Sequence, residues 1–272
     1  MLTSTIILLV FLGVIGGILS GLIGIGGGLI FVPIFDFLLK THDIEGSELV
    51  KFTLANSFFC IFVSGIITSY KQFRQDNFYF KEILYTAVPA IVTGGILTYF
   101  VTNSSWYSER IFKLLFIALL VYTVLKTFLK RKTAEEKELP FSVKRYAGIG
   151  LLTGIASSLS GLGGGIVMIP LFKNIIKMDM KKAASVSIGA IPILLFPMLI
   201  LYAFGSPIIT SNIYHWGYLT PLYVAPVAVG LWLGTTIGLK ISKRITNQTL
   251  QIIFASLLTL LILKYTIELV VS

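Results

Sequence analysis

Long runs without a charged residue alternate with short, mostly basic connections along the whole chain. The runs are Met1–Phe35, Phe52–Tyr70, Ile83–Ser108, Leu114–Leu125, Tyr146–Phe172, Ala183–Leu239 and Ile245–Leu263. Most reach or exceed the roughly 18–20 apolar residues that a bilayer-spanning helix needs. The pattern predicts an all-α polytopic membrane protein. Six segments are candidates for a full crossing: Ser47–Tyr70, Phe80–Val101, Arg110–Leu129, Lys182–Phe204, Trp216–Lys240 and Thr249–Val270. Tyr146–Ser160 and Ile166–Lys177 are shorter, and at ~1.5 Å per residue they reach only about 22 and 18 Å, less than a ~30 Å hydrocarbon core.

An internal repeat organises these segments. Gly13-VIGGILSGLIGIGGGLIFVPI-Phe35 aligns with Gly150-LLTGIASSLSGLGGGIVMIPL-Phe172 at an offset of 137, with 11 of 23 positions identical. The same offset brings Pro89 onto Pro226, and an offset of 138 lays Leu114–Leu120 over Ile252–Leu258. The expected organisation is a first repeat over 1–132, a cytoplasmic linker over 133–145 and a second repeat over 146–272, each with five hydrophobic segments.

Charge placement suggests how the segments thread the bilayer. If the first two segments of each half form a re-entrant hairpin and the other three cross, each half crosses an odd number of times and the two are inverted. With the N- and C-termini outside, 17 of the 22 Lys and Arg then fall on the inner side, as the positive-inside bias requires. The expected location is the cell membrane, plasma or inner, crossed several times.

Short, glycine-broken segments at corresponding positions of inverted repeats point to a transporter site. Non-helical backbone at membrane depth persists only where protein buries it or where it lines a cavity. Gly24, Gly26, Gly27 and Gly28, and their partners Gly161, Gly163, Gly164 and Gly165, supply backbone free to adopt positive φ and to let a ligand approach. Each run precedes an apolar half-helix, Leu29–Lys40 or Ile166–Lys177, whose first amides lack intrahelical partners and form a seat for an anion. Pro33 and Pro170, a few residues into these half-helices, withhold an N–H or free a carbonyl four residues back, as hinges would. The competing reading is that the glycines only allow close helix packing.

Asn56, Ser57, Ser185 and Ser187, in the third segment of each half, are candidate neutral donors to an oxyanion, with Ser20 and Ser157 just before the glycine runs. Bonding to a carbonyl of their own helix is the competing role for such serines. Cys60, one turn after Asn56, reads as a packing residue. Asp36 is the one carboxylate within a hydrophobic segment; proton coupling is conceivable there, and a solvent-reaching position near a half-helix end is the plainer expectation.

Composition narrows the function. The chain has 272 residues, 56% hydrophobic and only 12% charged, against the roughly 25% charge of soluble domains. The net charge of +10 is explained by the basic connections, so no nucleic-acid partner is expected. The single cysteine excludes an internal disulfide, a CxxC pair and a multi-cysteine metal site. His42 and His215 have no metal-ligand spacing, and no hydrolase motif or Walker lysine appears. No enzyme activity, cofactor or metal is expected. Met1-Leu-Thr-Ser-Thr-Ile has no basic n-region and reads as the start of the first helix.

At Gly24-IGGGLIFVP-Pro33 and Gly161-LGGGIVMIP-Pro170 the chain resembles the sulfite exporter TauE/SafE family. Thr53–Ser57, Ala183–Ser187 and the proline–glycine patterns Pro89–Gly94 and Pro226–Gly230 extend the resemblance over essentially the full length. Half two has Val186 where half one has Asn56. The resemblance implies a permease for sulfur-containing anions such as sulfite or organosulfonates, which agrees with the anion seat. The expected partners are a small anionic substrate and the lipid bilayer, with a homo-oligomer left open. A carboxylate carrier, or a membrane scaffold for a soluble sulfur-metabolism enzyme, are the alternatives.

Overall fold

A computed structural model describes residues 2–23, 26–128, 138–208, 213–242 and 244–271. These residues form ten helices: α1 Leu2–Ile23, α2 Gly28–Lys40, α3 Gly46–Phe73, α4 Phe80–Thr102, α5 Glu109–Phe128, α6 Val143–Ser160, α7 Gly165–Ile176, α8 Met180–Ala203, α9 Pro221–Ser242 and α10 Asn247–Val271. Five per half matches the repeat. Gly27 and Gly164, both left-handed, cap the N-termini of α2 and α7. Past Pro170, residues Phe172–Ile176 widen into a π-helical turn, closed where the Met178 amide donates to the Phe172 carbonyl at 3.2 Å. At α8 the Asp179 side chain accepts from the Lys181 amide and replaces a missing helical bond.

Six helices are long and apolar enough to cross a membrane: Ser4–Ile23, Gly46–Phe73, Phe80–Thr102, Met180–Ala203, Pro221–Ser242 and Gln248–Leu269. Five correspond to expected crossings. The sixth is α1 rather than α5, because α5 opens with Glu109, Arg110 and Lys113 whereas α1 carries no charge. The 22 residues of α1 reach about 33 Å. α6, at 18 residues, begins three residues earlier than the hydropathy pattern suggested.

The helices pack across the halves. α1 lies parallel to α9, with Val10, Val14 and Ile18 of α1 against Gly230, Gly234 and Gly238 of α9. A Cβ on Gly17 would come within 3.0 Å of the Gly234 Cα, and one on Gly234 equally close to the Gly17 Cα. Only glycine permits this approach, so here the small-residue packing role is real. α6 lies parallel to α4 in the same manner, Gly150 against Thr86 and Gly154 against Ala90 and Gly94. α3 runs antiparallel to α8, with Phe62 stacked on Phe196 and Phe58 beside Tyr202, and α5 runs antiparallel to α10 through Phe116 and Tyr265. Under the repeat correspondence α1·α9 is the mate of α6·α4, so each half's first helix rests on the other half's fourth. Within the 133–145 linker, residues 133–137 lie outside the described region; beyond them the Leu139 amide donates to the Ile176 carbonyl at 2.9 Å.

Candidate functional site

Two glycine turns meet halfway along α3. Gly26 and Gly27 have φ of 75° and 80°, and Gly161, Gly163 and Gly164 have 73°, 67° and 81°. A side chain strains such backbone, so these glycines serve the turns and not the helix interfaces. Gly24 lies outside the described residues, while Gly28 and Gly165 open α2 and α7. A Cβ on Gly26 would come within 2.5 Å of Ile61 Cγ2, and one on Gly163 within 2.6 Å of the same atom. A Cβ on Gly28 would meet Ile61 Cδ1 at 2.9 Å and the Leu162 Cα at 3.0 Å. The turns therefore touch each other, with the Ile61 side chain wedged between them. Ile191 Cδ1 approaches from the other side, 3.5 Å from the Cβ position of Gly26.

Ile61 and Ile191 each stand one turn after a buried serine. Aligning Thr53–Ser57 with Ala183–Ser187, an offset of 130, lays Ser57 on Ser187 and Ile61 on Ile191. The Ser57 and Ser187 hydroxyls are buried without a hydrogen-bond partner among the described residues, as are those of Thr53 and Ser157. A buried polar group left unpaired costs about 1–3 kcal/mol. Neighbouring hydroxyls avoid that cost by bonding back into their own helices, as Thr153 does to the Ile149 carbonyl and Ser160 to that of Ala156. Ser57 and Ser187 do not, and they retain a free donor beside the crossing of the turns.

The other candidates are committed elsewhere. Asn56 uses both ends of its amide: Nδ2 donates to the Phe52 and Tyr218 carbonyls at 2.7 and 3.2 Å, and Oδ1 accepts from the Thr220 amide and hydroxyl, each at 2.8 Å. It clamps the start of α9 onto α3. Ser185 donates to the Asn77 carbonyl at 2.6 Å and lies 3.1 Å from Gln72 Oε1. Ser20 accepts from Ser64. Cys60 is buried packing. Pro33 and Pro170 lie inside α2 and α7 as expected.

Asp36 is 3% exposed and does not reach solvent as expected, because α5 and α10 fold over this end of α2, and Lys40 reaches back to its carboxylate at 3.3 Å. Lys40 also pairs with Glu109 at 2.7 Å, and Lys113 bridges Glu109 and Glu268 at 2.9 and 3.7 Å. This chain of alternating charges ties α2 to α5 and α10. His42 is paired with the Tyr223 hydroxyl, and the His215 Nδ1 with the Gly217 carbonyl. No cluster of three or more His, Cys, Asp or Glu able to hold a metal occurs among the described residues.

Cavities lie near the opposite ends of α3. One of about 800 Å³ is lined by Ser47, Glu48, Lys51, Ser104, Ile208 and Tyr218, and one of about 190 Å³ by Leu22, Gln72, Gln75, Asn77 and Lys181. The offset of 130 that pairs the serines also pairs Lys51 with Lys181, so each cavity receives the lysine from one half. Tyr218 is part of the cavity lining, and burial pushes its phenol up to about 12. The lysine pair was readable in the sequence through that offset. Ile61 and Ile191 carried no such signal, since isoleucine in an apolar helix is unremarkable by pattern alone.

The sequence profile of the sulfite exporter TauE/SafE family matches residues 9–265. A probable membrane transporter protein of Methanocaldococcus jannaschii is 30% identical over 254 residues, covering 92% of this chain and 91% of that one. The probable membrane transporter protein YunE of Bacillus subtilis is 22% identical over 278 residues, covering 94% and 95%. No solved structure matches. With its full-length profile match and six helices able to cross a bilayer, the chain belongs to the sulfite exporter TauE/SafE family and is a multi-pass membrane transporter.

Proposed function

We propose that this transporter is a secondary carrier of a small sulfur-containing anion, sulfite or an organosulfonate, working by alternating access. The binding seat lies at the crossing of the two glycine turns. The amides at the starts of α2 and α7 and the hydroxyls of Ser57 and Ser187 supply neutral donors, and Pro33 and Pro170 act as hinges. The observation that carries this reading is the convergence on Ile61: positive-φ glycines of both halves pack on one side chain, with unpartnered buried hydroxyls a turn away on α3 and α8. Oxygens of an anion placed there accept bonds that the protein leaves unmade, with no opposing charge to desolvate. Asn56 and Ser185 serve this seat from behind, as clamps.

Inverted halves give alternating access a structural basis. Supporting this, α1 is parallel to α9 and α6 to α4, while α3 and α8, and α5 and α10, are antiparallel, so corresponding helices point opposite ways. α1–α2 and α6–α7 are then hairpins that end on the side where they begin, α1 reaching deep beside α9 before α2 returns, and α5 makes the third crossing of its half. The basic connections place the Lys51 cavity outside, the Lys181 cavity in the cytoplasm and both termini outside. Flux into proteoliposomes holding the purified protein tests the reading. Saturable uptake of sulfite or methanesulfonate is expected, abolished by Gly27→Val or Gly164→Val in correctly inserted protein. Uptake of acetate alone would make it a carboxylate carrier, and absence of flux for every anion would leave a scaffold.

A further inference from the structure

Lys51 and Glu48 form a second device in the outer cavity. Lys51 is 7% exposed although it lines the cavity, and its ammonium is 3.0 Å from Glu48 Oε1 and 5.6 Å above the Tyr218 ring. The other Glu48 oxygen, Oε2, accepts from the Ile208 amide at 3.1 Å, so one carboxylate bridges α3 and the connection that follows α8. In the other half, the offset of 130 places Lys181 at the lysine position and Met178 at the glutamate position. The lysine is duplicated at both mouths; the carboxylate is not.

We infer that Lys51 is an anion-recruiting site of the outer cavity and that Glu48 is a built-in competitor, its carboxylate occupying the place an incoming oxyanion takes. An arriving sulfite or sulfonate exchanges with Glu48 at the ammonium, and Glu48 then loses one of its two anchors on the wall formed by Lys51 and Ile208. The Lys51 ammonium suits any small oxyanion, and the Tyr218 ring beneath it holds it at the cavity. Below Lys51, Thr53 and Ser57 follow at two and six residues along α3, and both hydroxyls are unpartnered. They share the face of α3 that carries Ile61, which is not the face of Lys51. The Lys181 mouth has no carboxylate among the described residues of its lining, so the two mouths bind the same anion with different apparent affinity.

This inference rests on the carrier reading above, and initial-rate uptake of sulfite and methanesulfonate by the full chain in proteoliposomes separates the two. Lys51→Gln is expected to raise KM about tenfold for both anions and Glu48→Gln to lower it severalfold, with kcat changing less than KM in each. The charge-exchanged double variant Glu48→Lys, Lys51→Glu preserves an ion pair; it is expected to stay monodisperse in detergent yet transport poorly. If Glu48→Gln raises KM as Lys51→Gln does, or if the exchanged pair restores flux, the two residues are a structural ion pair and the inference is overturned while the carrier stands. If the unaltered protein moves no anion at all, the carrier reading itself fails.

Discussion

Gly26 and Gly163, at corresponding positions of the two halves, face one methyl group: a Cβ on either would lie within 2.6 Å of Ile61 Cγ2. Ile61 thus packs against both loops at once, and along α3 it stands between the residues that line the two cavities. If this side chain is the barrier, shortening it opens a path. Ile61→Ala is expected to admit anion leak in both directions, seen as faster and less saturable sulfite flux, whereas Ile61→Val, which keeps the branch at Cβ and Cγ2, should remain close to the unaltered rate. Equal, unaltered flux in both variants would place the barrier elsewhere.

Asn56 yields a different expectation from its neighbour Ser57. Its amide is saturated by Phe52, Tyr218 and Thr220. Asn56→Ala strands the Thr220 amide and the Tyr218 carbonyl in a buried place, at a cost on the order of 3 kcal/mol. The expected result is a lower thermal midpoint in detergent with substrate preference unchanged. Ser57→Ala removes a hydroxyl with no protein partner, so it should leave the midpoint nearly constant and raise KM. The opposite assignment of effects would exchange the roles given to these adjacent residues.

Much of this arrangement is legible in the chain before any coordinates. The 137-residue offset identified the two glycine runs, and seven of the eight glycines named from them lie among the described residues, at or beside the crossing. The pairing of Ser57 with Ser187 came from short small-polar stretches and extends to Lys51 and Lys181. The clamp at Asn56 was not legible because its partners, Tyr218 and Thr220, lie more than 160 residues away, in a connection with no hydrophobic periodicity to place it. Asp36 was expected to reach water because only its position along α2 was visible; its burial depends on α5 and α10 folding back over it. Packing glycines and turn glycines also look alike in sequence. Only backbone geometry separates Gly17 and Gly234, which touch in regular helix, from Gly27 and Gly164, which turn the chain.

The packing role is testable among the helix glycines alone. A Cβ on Gly95 of α4 or Gly148 of α6 meets nothing within 4 Å. Gly95→Ala and Gly148→Ala should be neutral or stabilising by about 0.5–1 kcal/mol, since alanine restricts the unfolded chain and favours helix. Gly234→Ala, whose Cβ would fall 2.1 Å from the Val14 carbonyl oxygen, should force α1 and α9 apart and reduce the yield of folded protein. Thermal midpoints of the three variants in one detergent decide the matter.

Asp36 joins α2 to the Lys40, Glu109, Lys113 and Glu268 chain. Lys40 keeps Glu109 as a partner when Asp36 is neutralised, so Asp36→Asn should fold. If protons drive transport through this carboxylate, the variant loses the stimulation of sulfite flux by an imposed pH gradient but retains flux down a sulfite gradient. Unchanged stimulation would remove Asp36 from coupling and leave it as a tie between α2 and α5.

The sidedness of the two cavities underlies every assignment of outer and inner mouth, and accessible-cysteine labelling in whole cells measures it. On a Cys60→Ala background, Ser47→Cys and Ser104→Cys stand on the wall of the Lys51 cavity, and Gln75→Cys on that of the Lys181 cavity. The first two should react with a membrane-impermeant maleimide added outside, and the third only after the membrane is opened. The reason is electrostatic: connections rich in Lys and Arg are retained in the cytoplasm, and the chain places 17 of its 22 such residues on one side only when both glycine segments turn back. Thr133→Cys in the linker and Ser211→Cys in the α8–α9 connection, at positions outside the described residues, extend the test to the basic cluster and to an uncharged loop. If the second glycine segment crossed completely, every later connection would change sides, and Ser211→Cys would be protected together with Thr133→Cys. Labelling of Gln75→Cys from outside together with protection of Ser47→Cys would reverse the whole assembly, giving the larger cavity and its Glu48 competitor to the cytoplasm.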